Sequence, residues 1–327
     1  MTEPRPSDSD AMQALLQKTS RTFALTIPML PSPLRTEIGV AYLLFRIIDT
    51  FEDATAWPPE KRIAALGEFV RLLDQPDPRQ AASAAAIWVR HPPVVHDGYV
   101  ELLGEVPRVL GWYHQLAEPA REQLRSHVDR SARGMGAFIE RTDDRGILRL
   151  QTLDDLRDYC YVVAGIVGEM LTELFLLGDA RLSSSATALR ARAVAFGEGL
   201  QLVNILKDAG ADAVEGRVYL PQQAPLPEVF TLARADLRQA SEYVETLRAA
   251  GADRGLVAFN ALNASLAIAT LRLMRDKGLG AKLTRPQVAG LAAHVANALD
   301  VGAPLFDLVG LGPARGAHAP DLDPSLT

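Results

Sequence analysis

The sequence contains a single cysteine, Cys160, in 327 residues. A lone thiol excludes an internal disulfide and cannot build a cysteine metal cluster. It is compatible with a reducing compartment, so a cytoplasmic location is expected. Positive charge is not in excess: 34 Lys and Arg stand against 40 Asp and Glu, a formal net charge of −6. That balance provides no broad basic surface, which excludes nucleic acid as an expected partner. No uncharged apolar run reaches the ~20 residues needed to span a bilayer. The opening residues, MTEPRPSDSD, are polar and acidic, unlike a signal peptide. The expectation is a protein that is soluble or only peripherally bound to a membrane. Aromatics are also scarce, at 6%, while Ala and Leu abound. Those two lose little on entering a helix, so helices are favoured over sheets.

Apolar residues make up 48% of the chain, enough for a large core. Helical spacing and punctuation by Pro and Gly predict successive helices. They are placed at Ala11 to Leu25, Leu34 to Glu52, Lys61 to Leu73, Ala81 to Arg90, Asp97 to Leu103, Pro107 to Gln115 and Glu118 to Arg141. Beyond these come Leu153 to Leu177, Thr187 to Val214, Leu226 to Ala249, Gly255 to Lys277 and Pro286 to Asp300. Thr152 and Asp155 read as a capping-box-like start. Sustained period-two alternation is absent, so no strand is expected. Residues 1–10 and 312–327, rich in Pro, Gly, Asp and Ser, are expected to be disordered, leaving one helical domain over 11–311.

Two acidic pairs carry the chemical signal. In IIDTFEDA, Asp49 and Asp53 are four apart in an apolar helical stretch. Four residues advance ~6 Å and nearly one turn, so both carboxylates share a face. Their repulsion and desolvation are costly unless a cation sits between them. Hard oxygen ligands with room for a phosphate suit Mg²⁺. Glu52 lies one position off that face. In GLQLVNILKDAGADAVEGRVYLP, Asp208 and Asp212 repeat the spacing, and Gln201, Asn204 and Asp208 fall at i, i+3 and i+7. Each pair alone also reads as a solvated face or a polar seam between helices. Together, two such faces could oppose each other across a cavity and grip a diphosphate through Mg²⁺, promoting ionisation of an allylic carbon–oxygen bond. Arg46, Arg217 and Arg21, with Ser20 and Thr22 beside Arg21, are suitable donors to phosphate oxygens, although each could be a structural ion pair. Lys207 could simply balance Asp208.

SRTFAL at Ser20, AYLLFRIIDTFED at Ala41 to Asp53, YCYVVAGIVGEMLTELF at Tyr159 to Phe175 and LQLVNILKDAGAD with GRVYLP at Leu200 to Pro221 resemble the squalene and phytoene synthase family, on its squalene synthase branch. The resemblance covers roughly Leu15 to Val301. It implies an all-α, single-domain, isoprenoid-synthase-type helical bundle around a central cavity, with residues 11–311 as the catalytic domain. It implies that Asp49, Asp53, Asp208 and Asp212, with Asn204, hold Mg²⁺ and two prenyl diphosphates. Ser20, Arg21, Phe23, Tyr42, Arg46, Gln201, Asn204 and Arg217 match family positions around the diphosphates. Tyr159 matches the tyrosine placed beside the first carbocation; its sequence context alone reads as helix packing.

The reaction so implied joins two farnesyl diphosphates head to head. A cyclopropyl diphosphate forms, ionises again, rearranges and takes hydride from NADPH. No G-x-G-x-x-G following a strand gives an independent dinucleotide signal. Ala164, Gly165 and Gly168 would allow close approach of prenyl tails or of helices. The chain departs from the family at Val162, Ala54, Asn260 and Asn263. Asn260 and Asn263 stand in FNALNASLAIATL where the family tends to be apolar. They predict either a hydrogen-bonded pair between helices or a polar back wall to the cavity. A polar wall would fit transfer of one prenyl group to a non-isoprenoid, for example aromatic, acceptor. Non-reductive products (dehydrosqualene, hydroxysqualene or phytoene) are the third reading. An oily product makes peripheral membrane contact an expectation.

Overall fold

Ser7 starts the first helix by accepting a hydrogen bond from the Asp10 amide at 3.2 Å, a cap worth about 1 kcal/mol. The computed structural model describes residues 7–308 and 311. Helix α1 spans Asp8–Thr19 and α2 Phe23–Thr26. The expected helix Ala11 to Leu25 is therefore broken in two. Ser20 turns extended, at φ −147° and ψ 134°, and its hydroxyl accepts from the Phe23 amide at 2.9 Å. That side chain gives the backbone an alternative to the helix ladder. The helix also begins inside the segment expected to be disordered; residues 1–6 and 312–327, the rest of those two terminal expectations, lie outside the described residues.

The chain groups into two compact units, one ending at Gly136 and the other starting at Ala137. The first contains α3 Leu34–Glu52, α4 Pro59–Asp74, α5 Pro78–Arg90, α6 Asp97–Gly104, α7 Val106–Gln115 and most of α8 Glu118–Glu140. Helix α3 packs against α1, α4, α6 and α7. Leu43, Leu44, Ile47, Ile48 and Phe51 along it are completely buried. Phe51 meets Trp88 edge-on at 4.8 Å between ring centroids. Buried Arg62 donates to the Glu52 carbonyl, placing a cation where the C-terminal dipole of α3 favours one. Glu52 is itself buried.

The second unit holds β1 Leu148–Arg149, α9 Leu153–Cys160, α10 Ile166–Gly178, α11 Ala186–Val214, β2 Arg217–Val218, α12 Leu226–Ala249, α13 Arg254–Lys277 and α14 Arg285–Val301. The two strands pair in parallel, Leu148 opposite Arg217. The fold is all-α as expected; these two-residue strands are too short to form a layer or to leave an alternating pattern. Thr152 and Asp155 form the expected capping box. Between α9 and α10 the chain continues through a π-helical turn, Tyr161–Gly165, inside the single helix expected there. Leu153–Gly178 and Arg254–Lys277 are long and apolar enough to cross a membrane by length and composition, but most of each is buried inside the protein.

Glycines settle how α10 meets α11. A Cβ on Gly168 would lie 2.0 Å from the Ala193 carbonyl oxygen, and one on Gly197 would lie 1.9 Å from that of Ala164. These helices touch backbone to backbone, so Gly168 serves helix packing. Beneath them Thr172 and Tyr243 share a hydrogen bond of 2.9 Å, and Phe175 meets Phe259 edge-on at 6.3 Å.

Candidate functional site

The first unit brings the SRTFAL residues to the first acidic pair through Tyr42. The Tyr42 hydroxyl donates to the Thr19 carbonyl at 2.8 Å, filling an acceptor left open at the end of α1. Its ring lies 5.4 Å from that of Phe23. Arg46, one turn on, donates from Nε to the Tyr42 hydroxyl at 3.4 Å and lies 3.4 Å from Asp49. Its guanidinium carbon is 5.7 Å from the Tyr42 ring and 5.2 Å from the Tyr99 ring. Burial opposes the charge on Arg46, yet Tyr42, Asp49 and Tyr99 hold its basicity above the ordinary value. Arg21 is exposed.

Asp49 lies in the last turn of α3, and Asp53 is the residue that ends it, at φ −75° and ψ −4°. The near-helical backbone keeps the i, i+4 relationship intact. Burial pushes the Asp49 carboxyl up to about 6 against the pull of Arg46, and Asp53 pushes it further. Burial likewise raises Tyr99, which also feels Asp49 and Asp53. Tyr99 was invisible to motif reasoning, because nothing in DGYVELLG marks a residue of α6 as a neighbour of α3.

In the second unit, α11 carries Gln201, Asn204, Asp208 and Asp212. The expected stripe is not a buried seam: Gln201 and Asp208 are half-buried and Asn204 is exposed. Lys207 donates to Asn204 Oδ1 at 2.7 Å and lies 3.2 Å from Asp208 Oδ2, so it does balance that carboxylate. Lys282, between α13 and α14, lies 3.0 Å from Asp208 Oδ1. No local pattern pointed to it. Arg217, held in β2, contacts Asp212 at 3.0 Å and Glu215 at 2.7 Å.

Tyr159 is the penultimate residue of α9, just before the π turn, and is 2% exposed. It stacks on Tyr219 at 4.6 Å and meets Phe138 edge-on at 5.2 Å. Tyr219 is a second aromatic that motif reasoning passed over, although it lies in GRVYLP. Asn260 and Asn263 are both buried. Each donates to the carbonyl four residues back on α13: Asn260 to Leu256 at 2.9 Å and Asn263 to Phe259 at 2.9 Å. The Asn260 Oδ1 is buried without a partner. Among the described residues, no three His, Cys, Asp or Glu side chains gather in a metal-holding group.

An all-α fold carrying acidic pairs on two helices, each with arginine beside it, defines the class, and comparison gives the family. The squalene/phytoene synthase family model matches residues 16–226, and the chain belongs to that family. It is 31% identical over 214 residues to a squalene synthase of Cyberlindnera jadinii, spanning 64% of this chain and 44% of that protein. The match thus spans less than half the length of that relative. The fold is similar to that of TcSQS with the ligand BPH1237, at TM-score 0.72 and 25% identity over 89% of this chain and 86% of that one. A dehydrosqualene synthase in complex with a ligand shares the fold at TM-score 0.56 and 20% identity over 90% and 97%. Asn260, Asn263 and Lys282 all lie beyond the matched residues.

Proposed function

We propose that this chain is a Mg²⁺-dependent prenyltransferase that condenses two farnesyl diphosphates head to head to squalene through presqualene diphosphate, with residues 11–311 as its catalytic domain. The observation that carries the reading is the Asp49–Asp53 pair, four residues apart at the end of α3, with the Asp49 carboxyl pushed up to about 6 chiefly by burial. Two carboxylates, with no third His, Cys, Asp or Glu grouped with them among the described residues, suit a cation that keeps several waters and shares substrate phosphate oxygens. The donor sets therefore fit Mg²⁺: Asp49 and Asp53 in the first unit, and Asp208, Asp212 and Asn204 in the second. Bound there, Mg²⁺ would neutralise the departing diphosphate.

The remaining roles belong to side chains. Arg46 and Arg217 offer guanidinium donors to diphosphate oxygens, and Ser20, Arg21, Tyr42 and Gln201 add further polar groups. Phe23 offers an apolar ring to the prenyl chain beside Tyr42. Tyr159, backed by Tyr219 and Phe138, presents a rigid aromatic group to developing positive charge. NADPH supplies hydride if the product is squalene. A cytoplasmic protein touching membrane only peripherally completes this reading.

One observation favours a second reading. The unmet Asn260 acceptor suits a substrate hydroxyl more than a hydrocarbon, as in transfer of one prenyl group to an aromatic acceptor. Incubation with farnesyl diphosphate and Mg²⁺, with and without NADPH, separates these by product mass. Squalene formed only with NADPH supports the first reading; dehydrosqualene, hydroxysqualene or phytoene supports a non-reductive enzyme. Inert farnesyl diphosphate, with a shorter prenyl diphosphate consumed only beside an aromatic partner, supports the second.

A further inference from the structure

One buried set of charged side chains has no part in the proposed reaction. Glu198 in α11 and Asp236 in α12 are each 2% exposed. The two helices touch at this level: a Cβ on Gly199 would lie 3.2 Å from the Asp236 backbone. The charged groups acting on Glu198 are Asp236 from α12, Arg157 and Asp158 from α9, and Glu169 from α10. Completely buried Cys160 feels Glu198 and Asp236 as well.

The polar atoms buried here without a hydrogen-bond partner include Glu198 Oε1, an acceptor, and Arg157 Nε, a donor. Water is the small molecule that both accepts and donates, and buried water characteristically closes such gaps. Two neighbouring carboxyls in an apolar interior cannot both ionise at low cost. Burial, and then Asp236, push the Glu198 carboxyl up to about 9.

We propose that Glu198, Asp236 and Arg157 enclose an internal proton-and-water site: Glu198 is a carboxylic acid at neutral pH, and one ordered water accepts from Arg157 Nε and donates to Glu198 Oε1. Glu198, Gln201, Asp208 and Asp212 fall at i, i+3, i+10 and i+14, one face of α11. The site therefore lies midway along the helix that carries the second acidic pair. Loss of the proton would set two buried carboxylates against each other where α11 meets α12.

The full chain with ¹³C-labelled glutamate carboxyls tests the proton. Infrared spectra at pH 7 should show a protonated glutamic acid that disappears above about pH 9 and is missing in Glu198→Gln. The folded state holds this proton and the unfolded state does not, so stability is lost as pH rises from the ordinary glutamate range through about 9. The melting temperature of the wild type should fall more steeply between pH 7 and 10 than that of Glu198→Gln, which mimics the neutral acid. A wild type with no protonated glutamate at pH 7, or identical slopes for the two proteins, would overturn the proposal. If the variant does not fold, the wild-type spectrum decides alone. A high-resolution crystal structure should place a water within about 3.2 Å of both unmet atoms; an empty site would overturn the water. None of these measurements requires turnover.

Discussion

Lys282 and Lys207 take one oxygen each of Asp208, at 3.0 Å and 3.2 Å. Both oxygens of that carboxylate are thus taken by ammonium groups, while Arg217 takes Asp212 and Glu215. The turn that delivers Lys282 depends on Gly278 and Gly280, whose φ values of 92° and 82° lie where only glycine sits without strain. An anion with several oxygens, such as a diphosphate, would draw the ammonium groups to its own oxygens and free Asp208 for a metal ion.

Lys282→Met should therefore raise the KM for prenyl diphosphate by about tenfold, the equivalent of about 1.4 kcal/mol. The pair is largely solvated, with side chains 56% and 34% exposed, so it contributes little to stability. The melting temperature should stay put. Initial rates over a substrate range read the effect, and an unchanged KM would remove the anion argument.

Asp49→Asn separates metal binding from folding. Losing a charged ligand should cost at least about 100-fold in turnover or metal affinity. Stability should not suffer. The Asp49 carboxyl, raised to about 6, holds its proton better in the folded state than in the unfolded one. That contribution is complete below the ordinary aspartate range and is lost as pH rises through about 6. At pH 7 the neutral amide should melt no lower than the wild type. Mg²⁺ binding to the wild type should weaken below pH 6, where a proton competes. Near-normal turnover of Asp49→Asn would end the metal reading.

The close contact of α11 with the π turn that leads into α10 can be tested against an open glycine. Gly197→Ala drives a methyl into the Ala164 carbonyl and should destabilise by at least about 1–3 kcal/mol. Gly290→Ala, in α14 with nothing within 4 Å of its would-be Cβ, should stabilise by about 0.5–1 kcal/mol. Chemical denaturation of both variants checks the contrast. Equal effects would mean that backbone contact does not set the packing.

Much of this was legible because helices advertise themselves locally. Leu34–Glu52 and Leu226–Ala249 follow from apolar spacing and punctuation, and the two acidic pairs follow from repeated spacing. The break at Ser20 was not legible, since it depends on a side-chain hydrogen bond competing with a good helical pattern. The π turn at Tyr161–Gly165 leaves the apolar run uninterrupted, so nothing in the composition marks it. Tyr99 and Lys282 reach the acidic pairs from other elements, and periodicity along one helix carries no information about its neighbours.

Asn260 offers the sharpest test of the interior of the second unit. Its amide N–H bonds a helical carbonyl while its Oδ1 is buried unmet. An unmet buried acceptor costs about 1–3 kcal/mol, and the Leu256 carbonyl can also accept from the backbone. Asn260→Leu removes the unmet acceptor at similar volume and should leave the melting temperature equal or higher. If the acceptor is there for a substrate hydroxyl, the same variant should lose prenyl transfer to a hydroxylated partner while keeping hydrocarbon formation from farnesyl diphosphate. Product masses from the two substrate sets decide. A variant that melts far lower, with both activities lost together, would show that the amide is a structural anchor for α13 and not a recognition group.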